Sequence, residues 1–186
     1  VAAVSSDTAI VTWETPRDDT TAKVSFRPGG AEDWRTARRD VLGTVHGIGL
    51  PGLHPDTRYE FRIVASSVRG GHATSEIGEF TTAAEARPPV TWHVSPDGDD
   101  AADGLTSASA WRTLRRASFA VMAGDTVLIA PGVYHQAIAP LCSGTAERRI
   151  TFRREGDGPA VVDGREVVAP LVDLPDRDYV TVEGLI

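Results

Sequence analysis

The sequence holds one cysteine, Cys142, so neither an intrachain disulfide nor a cysteine-based zinc cluster can form. In Pro-Leu-Cys142-Ser-Gly the thiol has no reactive motif around it, and a small buried thiol is expected. Lysine is as scarce: Lys23 is the single lysine among 19 basic residues. Residues 84–186 therefore lack the commonest cationic catalytic base. No apolar run approaches the ~18 residues that span a bilayer, and no basic-then-apolar leader opens the chain at Val1. A net charge of -7 and a pI near 5.2 leave no surplus of positive charge, which excludes a general affinity for nucleic acid or anionic membranes. Gly-x-Ser-x-Gly, phosphate-binding loops and dinucleotide fingerprints are all missing.

What is present is an average soluble composition, 41% hydrophobic and 24% charged over 186 residues. At roughly 150 residues per domain this is one large domain or two small ones, too little for a complete large enzyme. Two textures divide the chain. Residues 1–82 alternate short β-type runs with turn signals, the pattern of an antiparallel sandwich. Ala9, Val11 and Trp13 share one face of Thr8–Glu14, with Ile10 and Thr12 on the other. Val24 and Phe26 repeat the alternation, followed by Ile48, Leu50 and Leu53, by Tyr59, Phe61 and Ile63, and finally by Ile77 and Phe80. Residues 83–89, Ala-Ala-Glu-Ala-Arg-Pro-Pro, have no apolar periodicity and favour an extended, semi-rigid spacer.

Beyond Val90 a strand and an acidic turn lead into a predicted helix. Ser109 is its expected cap, Trp111, Leu114, Ala117 and Val121 its apolar face, and Gly124 its stop; Arg112, Arg115 and Arg116 line the opposite side. Six strand candidates follow: Thr126–Ala130, Val133–Ile138, Arg149–Arg154, Ala160–Asp163, Pro170–Leu174 and Tyr179–Glu183. Related strands recur after roughly 23 to 29 residues, near one coil of a parallel solenoid, so the six make two coils of three.

Leu53-His-Pro-Asp-Thr-Arg-Tyr59-Glu-Phe-Arg-Ile63 resembles the fibronectin type III signature. That resemblance covers about 80 residues and implies that Tyr59 turns its hydroxyl back onto the backbone at a strand corner while Trp13 fills the core. The first strand is nearly missing, and the sequence reads as cut at its N-terminus. No Arg-Gly-Asp triplet supports an adhesion role of the integrin type. A second set of motifs, Trp92-His-Val-Ser-Pro-Asp-Gly-Asp-Asp-Ala-Ala-Asp-Gly-Leu-Thr-Ser, Ala110-Trp-Arg-Thr-Leu, Gly124-Asp-Thr-Val-Leu-Ile-Ala-Pro-Gly-Val-Tyr134 and Ser143-Gly-Thr, resembles the N-terminal cap and first coils of pectate-lyase-like right-handed parallel β-helix proteins. The expected fold is all-β: a sandwich over 1–82, a linker over 83–89 and a capped, truncated β-helix over 90–186, with further coils expected beyond Ile186.

The combined resemblance implies a secreted bacterial protein, extracellular or at the cell surface, acting on polysaccharide of acidic type. A polysaccharide lyase is the first expectation; a glycoside hydrolase or a non-catalytic surface protein is the alternative. No catalytic residue is carried over, because family members hold base and metal on middle coils, to which nothing here corresponds. A monomer with no nucleic-acid or membrane partner is expected. In the acidic stretch, Asp97, Asp99 and Asp103 are the candidate calcium ligands, against a reading in which those carboxylates bond the local backbone. Arg148, Arg149, Arg153, Arg154 and Arg165 are the groups that suit an acidic sugar. Asp163, Glu166, Asp173, Asp176 and Asp178 supply carboxylates for hydrolysis, which needs a pair about 5 to 9 Å apart. Trp34, Trp92, Tyr134 and Tyr179 offer stacking faces, with Trp34, between acidic residues and Arg35, the one to test. His135 has no second histidine nearby.

Overall fold

The structure is a computed structural model describing residues 1–16, 20–166 and 170–186. It is all-β with one short helix, and the chain divides into two compact units, Val1–Arg87 and Pro88–Ile186.

In the first unit the strands are β1 (Ala3–Val4), β2 (Thr8–Glu14), β3 (Thr20–Pro28), β4 (Arg35–Gly43), β5 (Val45–Pro51), β6 (Arg58–Ser67), β7 (His72–Thr74) and β8 (Gly78–Thr81). One antiparallel sheet runs β1-β2-β5; the other runs β4-β3-β6, with β7 and β8 both paired to the far side of β6. Period-two alternation sends Ala9 and Val11, Val24 and Phe26, Ile48 and Leu50, Tyr59 and Phe80 into one core, closed by Leu53. Each large side chain in it contributes about 1.5–3 kcal/mol by leaving water. Trp13, Phe61 and Ile63 pack against that core as the alternation requires. Tyr59 is fully buried and its hydroxyl accepts the His54 N–H at 2.9 Å. The Thr82 hydroxyl fastens the same corner, donating to the His54 carbonyl at 2.6 Å and accepting the Thr57 N–H at 2.9 Å. This is the corner implied by the fibronectin-like motif.

The second unit begins with β9 (Thr91–Val94). A 3-10 turn (Ser107–Ser109) and helix α1 (Leu114–Ser118) follow, then β10 (Thr126–Ile129), β11 (Gly132–Tyr134), β12 (Ile150–Arg154), β13 (Ala160–Val162), a second 3-10 turn (Gly164–Glu166) and β14 (Val180–Glu183). All pairings are parallel: β14-β12-β10-β9 in one sheet, β11 with β13 in a second, and a bridge between Ile138 and Val172 on a third side. The register stacks Trp92, Val127, Phe152 and Val182 in an inward column, flanked by an outward column of Thr91, Thr126, Thr151 and Thr181. These are rungs of a parallel β-helix.

Several element boundaries differ from the sequence expectation; the strand expected over Val133–Ile138 is β11, ending at Tyr134, with a lone bridge at Ile138. Ser109 does not cap the helix, because Thr106 and Ser109 form a reciprocal capping box around their own short turn. Ala110 then runs extended, and Trp111 bridges to Val94 before α1 starts at its true cap, Thr113, whose hydroxyl accepts the Arg116 N–H at 3.0 Å. The helix closes at Phe119, well short of Gly124. The apolar series was nonetheless sound: Trp111, Leu114, Ala117 and Val121 are all buried. Finally, the expected strand Pro170–Leu174 is reduced to the single bridge at Val172.

Candidate functional site

Trp34 lies in the turn entering β4, half-buried, with the Arg27 guanidinium 4.4 Å and the Arg62 guanidinium 4.7 Å from its ring centroid. Arg27 also holds Glu60 at 2.8 Å. The ring thus belongs to a charged network on the outer face of the β4-β3-β6 sheet, and two cations already lie over it.

In the acidic turn Asp97, Asp99 and Asp103 are exposed. Asp99 accepts the Ala101 N–H and Asp103 the Leu105 N–H, each at 3.0 Å. The backbone bond from Leu105, then the Ser109 hydroxyl, hold the Asp103 carboxyl below the usual carboxylate range. These are Asx-turn contacts. Among the described residues no three His, Cys, Asp or Glu side chains gather as a metal-binding group. The carboxylate that organises this turn is one the spacing argument passed over. Asp100 accepts the Arg112 and Thr113 N–H groups, both at 2.9 Å, and the Thr113 hydroxyl at 2.7 Å, fixing the cap of α1.

On the β-helix, His135 and Asp163 follow β11 and β13 and face each other at 3.9 Å; Arg165 grips the same carboxylate through its backbone N–H and its guanidinium. The hydrogen bond from Arg165 is the main reason the Asp163 carboxyl sits below its ordinary range. A carboxylate held ionised in this way is unsuited to protonate a leaving group, the role that needs a raised pKa. The Glu166 side chain lies outside the described residues. Arg149 donates to the Thr181 hydroxyl at 3.0 Å and lies 5.9 Å from the exposed ring of Tyr179, a residue with φ of 56°. Tyr134 offers no stacking face: it is buried, and its hydroxyl donates to the Ala130 carbonyl at 2.8 Å. Burial raises its pKa, with Asp97 and Glu155 adding to the shift. Trp92 stacks on Trp111 at 4.6 Å, inside the cap. Cys142 is buried, its thiol 3.2 Å from the Val121 carbonyl.

Two buried polar centres escaped the sequence reading. One is Asp125, fully buried in the β-helix, accepting from the Val90 N–H at 2.9 Å and from the Trp92 indole and the Met122 N–H at 3.0 Å each. The other is in the sandwich, where the Thr15 and Thr20 hydroxyls lie 2.8 Å apart and meet His46 Nε2 at 3.0 and 3.1 Å. Burial lowers the His46 pKa; a backbone bond with Gly43 opposes this and the nearby Arg39 charge adds to it. The folded state therefore binds fewer protons than the unfolded chain between the folded pKa and about 6.5, the unperturbed histidine value, so this contribution to stability is complete above about pH 6.5 and shrinks as pH falls below it. The sandwich's unfolding midpoint is expected to drop on acidification from pH 7 to 5, and His46→Gln to flatten that slope. Thermal melts of both proteins across that range check it; equal slopes would exclude His46 as the source.

Comparison with known proteins bears on both halves. Residues 1–82 match the family model of the purple acid phosphatase N-terminal domain, a fibronectin-III-like sandwich. The chain is 36% identical over 98 residues to the uncharacterized protein YwoF of Bacillus subtilis, covering 50% of this chain and 21% of that one. It is 27% identical over 92 residues to an alpha-1,3-galactosidase A of Akkermansia muciniphila, covering 48% and 15%. Among solved structures, a rhamnogalacturonan lyase superposes with a TM-score of 0.44 at 23% identity, covering 52% of this chain and 28% of that one. The matched segments amount to about a fifth or less of the curated relatives' length. Among the described residues no helix is long and apolar enough to cross a membrane.

Proposed function

We propose that the chain is the leading part of a secreted bacterial protein that cleaves extracellular polysaccharide, with 1–82 as a spacer or docking sandwich, 83–89 as linker and 90–186 as the cap and first coils of a longer β-helix. The observation that carries this reading is the similarity of about half the chain to a galactosidase, taken together with the parallel rungs of the second unit. β14 ends the sheet order, with Tyr179 exposed just ahead of it, and an edge of this kind is normally covered by a further coil. Cleavage by β-elimination is the first reading, supported by the exposed arginines Arg153 and Arg154 of β12, a charge that suits an acidic polymer. Glycoside hydrolysis is the second, favoured by the activity in the relative's name.

In either case turnover belongs to coils other than these. The test is ultraviolet absorbance of unsaturated uronates and reducing-sugar release, on pectate, alginate and galactan, for this chain and for the full gene product. Turnover by the full product alone is the expected result, and the chemical readout separates lyase from hydrolase. Turnover by this chain would place catalysis on its Arg and Asp residues instead, while silence from both would move the protein to a structural role.

A further inference from the structure

Tyr179 is an aromatic residue in a backbone conformation that suits glycine. Its φ is 56°, and among the described residues the other non-glycine positions with positive φ are Asp56 and Asp176. For a bulky side chain this is an outlier that the surrounding structure has to enforce. The Tyr179 carbonyl accepts the Ile150 N–H at 3.0 Å, the Asp178 carbonyl accepts the Gly144 N–H at 3.0 Å, and the Asp178 N–H donates to the Ser143 hydroxyl at 3.1 Å. A Cβ at Gly144 would stand 2.6 Å from the Tyr179 carbonyl oxygen, so the two turns meet backbone to backbone. These contacts are made by the main chain at 179, and glycine would make them with less strain. Core packing does not account for the ring either: it is 45% exposed, while the other two tyrosines, Tyr59 and Tyr134, are at 0% and 2%.

The ring stands beside groups on the outward side of the rungs. Arg149, exposed just ahead of β12, lies 5.9 Å from its centroid and donates through Nε to the hydroxyl of Thr181, a member of the outward threonine column, at 3.0 Å. That bond holds the guanidinium next to the ring and leaves its two terminal nitrogens without a partner among the described residues. The exposed carboxylates of Asp178 and Glu183, adjacent in sequence, form no ion pair with it. A flat ring, a free guanidinium fork and a hydroxyl are together the contacts for one sugar ring bearing a carboxylate: the C–H face lies on the aromatic ring and the carboxylate takes the fork. A further rung would stack against the edge of β14, along the β-helix axis, and not over side chains that stand perpendicular to the sheet. We infer that Tyr179, Arg149 and Thr181 form a binding subsite for a single uronate residue of an acidic polysaccharide. The inference rests on the polysaccharide reading above and adds to it a place where the polymer is held.

With three tyrosines in the chain and two of them buried, nuclear magnetic resonance of the whole chain carrying isotope-labelled tyrosine tests the proposal directly. Tri-galacturonate at low salt is expected to shift one ring signal saturably, the one missing in Tyr179→Gly, while the two buried rings stay still. Arg149→Gln should weaken binding by about tenfold or more; Arg149→Lys should recover only part of the loss, since it restores charge without the fork. The neutral trimer galactotriose should bind about tenfold more weakly or worse. Tyr179→Gly should melt at or above the wild-type temperature, because it relieves the strained φ. A stationary Tyr179 signal, an equal shift with galactotriose, unchanged affinity in Arg149→Gln, or a clear fall in the melting temperature of Tyr179→Gly would each overturn the assignment. The titration reads binding without turnover, so cleavage of pectate by the full gene product with no Tyr179 shift would remove this subsite alone, and a shift with no cleavage would remove the cleavage reading alone.

Discussion

Replacing Asp125 by alanine is expected to cost the β-helix unit about 3–5 kcal/mol, a large share of the roughly 5–15 kcal/mol by which a domain is typically stable. The carboxylate is fully buried and gathers three donors, the Val90 N–H, the Trp92 indole N–H and the Met122 N–H. Two of these donors come from Val90 and β9 and the third from the segment after α1, so one side chain just ahead of β10 ties those two segments together. Each donor left unsatisfied in a buried setting costs about 1–3 kcal/mol. Asp125→Asn should be intermediate: it keeps one acceptor oxygen but turns an amide donor toward groups that also donate. Urea unfolding of the three proteins, followed by near-ultraviolet circular dichroism of the stacked Trp92–Trp111 pair, gives the ranking. Equal midpoints for Asp125→Ala and wild type would mean that water satisfies those donors as well as the carboxylate does.

The sequence carried a usable signal for Asp125 that motif reading passed over. Alternation along β10 buries Val127 and Ile129, and Asp125 has the same parity, which puts it on the inward side one residue before the strand. It was overlooked because Gly124-Asp125 reads locally as a turn. The corner at Tyr59 was legible for the opposite reason: Pro55, Asp56 and Tyr59 lie within five residues, and the turn they close includes the φ of 46° at Asp56. The boundaries of α1 were not, since Ser109 and Thr113 are both competent caps and the choice rests on Asp100, which reaches the Thr113 hydroxyl from thirteen residues upstream. The His46 cluster joins residues from three separated segments and has no spacing signature at all.

Gly104 offers the sharpest separation of backbone strain from packing. Its φ is +73°, and a Cβ there would run into the indole of Trp111, which is buried to 1% exposure with its N–H on the Ala102 carbonyl at 2.9 Å. Gly156, in the same unit, has a φ of +72° with nothing within 4 Å of where a Cβ would stand. The two alanine substitutions therefore share the left-handed penalty, about 1 kcal/mol, and differ in what the added methyl meets. Gly104→Ala must also push the Trp111 ring off Trp92 or shift the turn, an overpacking cost of about 1–3 kcal/mol. Gly156→Ala is expected to lose about 1 kcal/mol and Gly104→Ala about 3 kcal/mol, measured as midpoints of urea unfolding. Near-ultraviolet circular dichroism should change only for Gly104→Ala, because only there does the aromatic pair move. If both variants lost the same small amount, the acidic turn would be yielding rather than the cap, and Trp111 would have to be held by Leu114 and Val121 alone rather than by the turn that Gly104 closes.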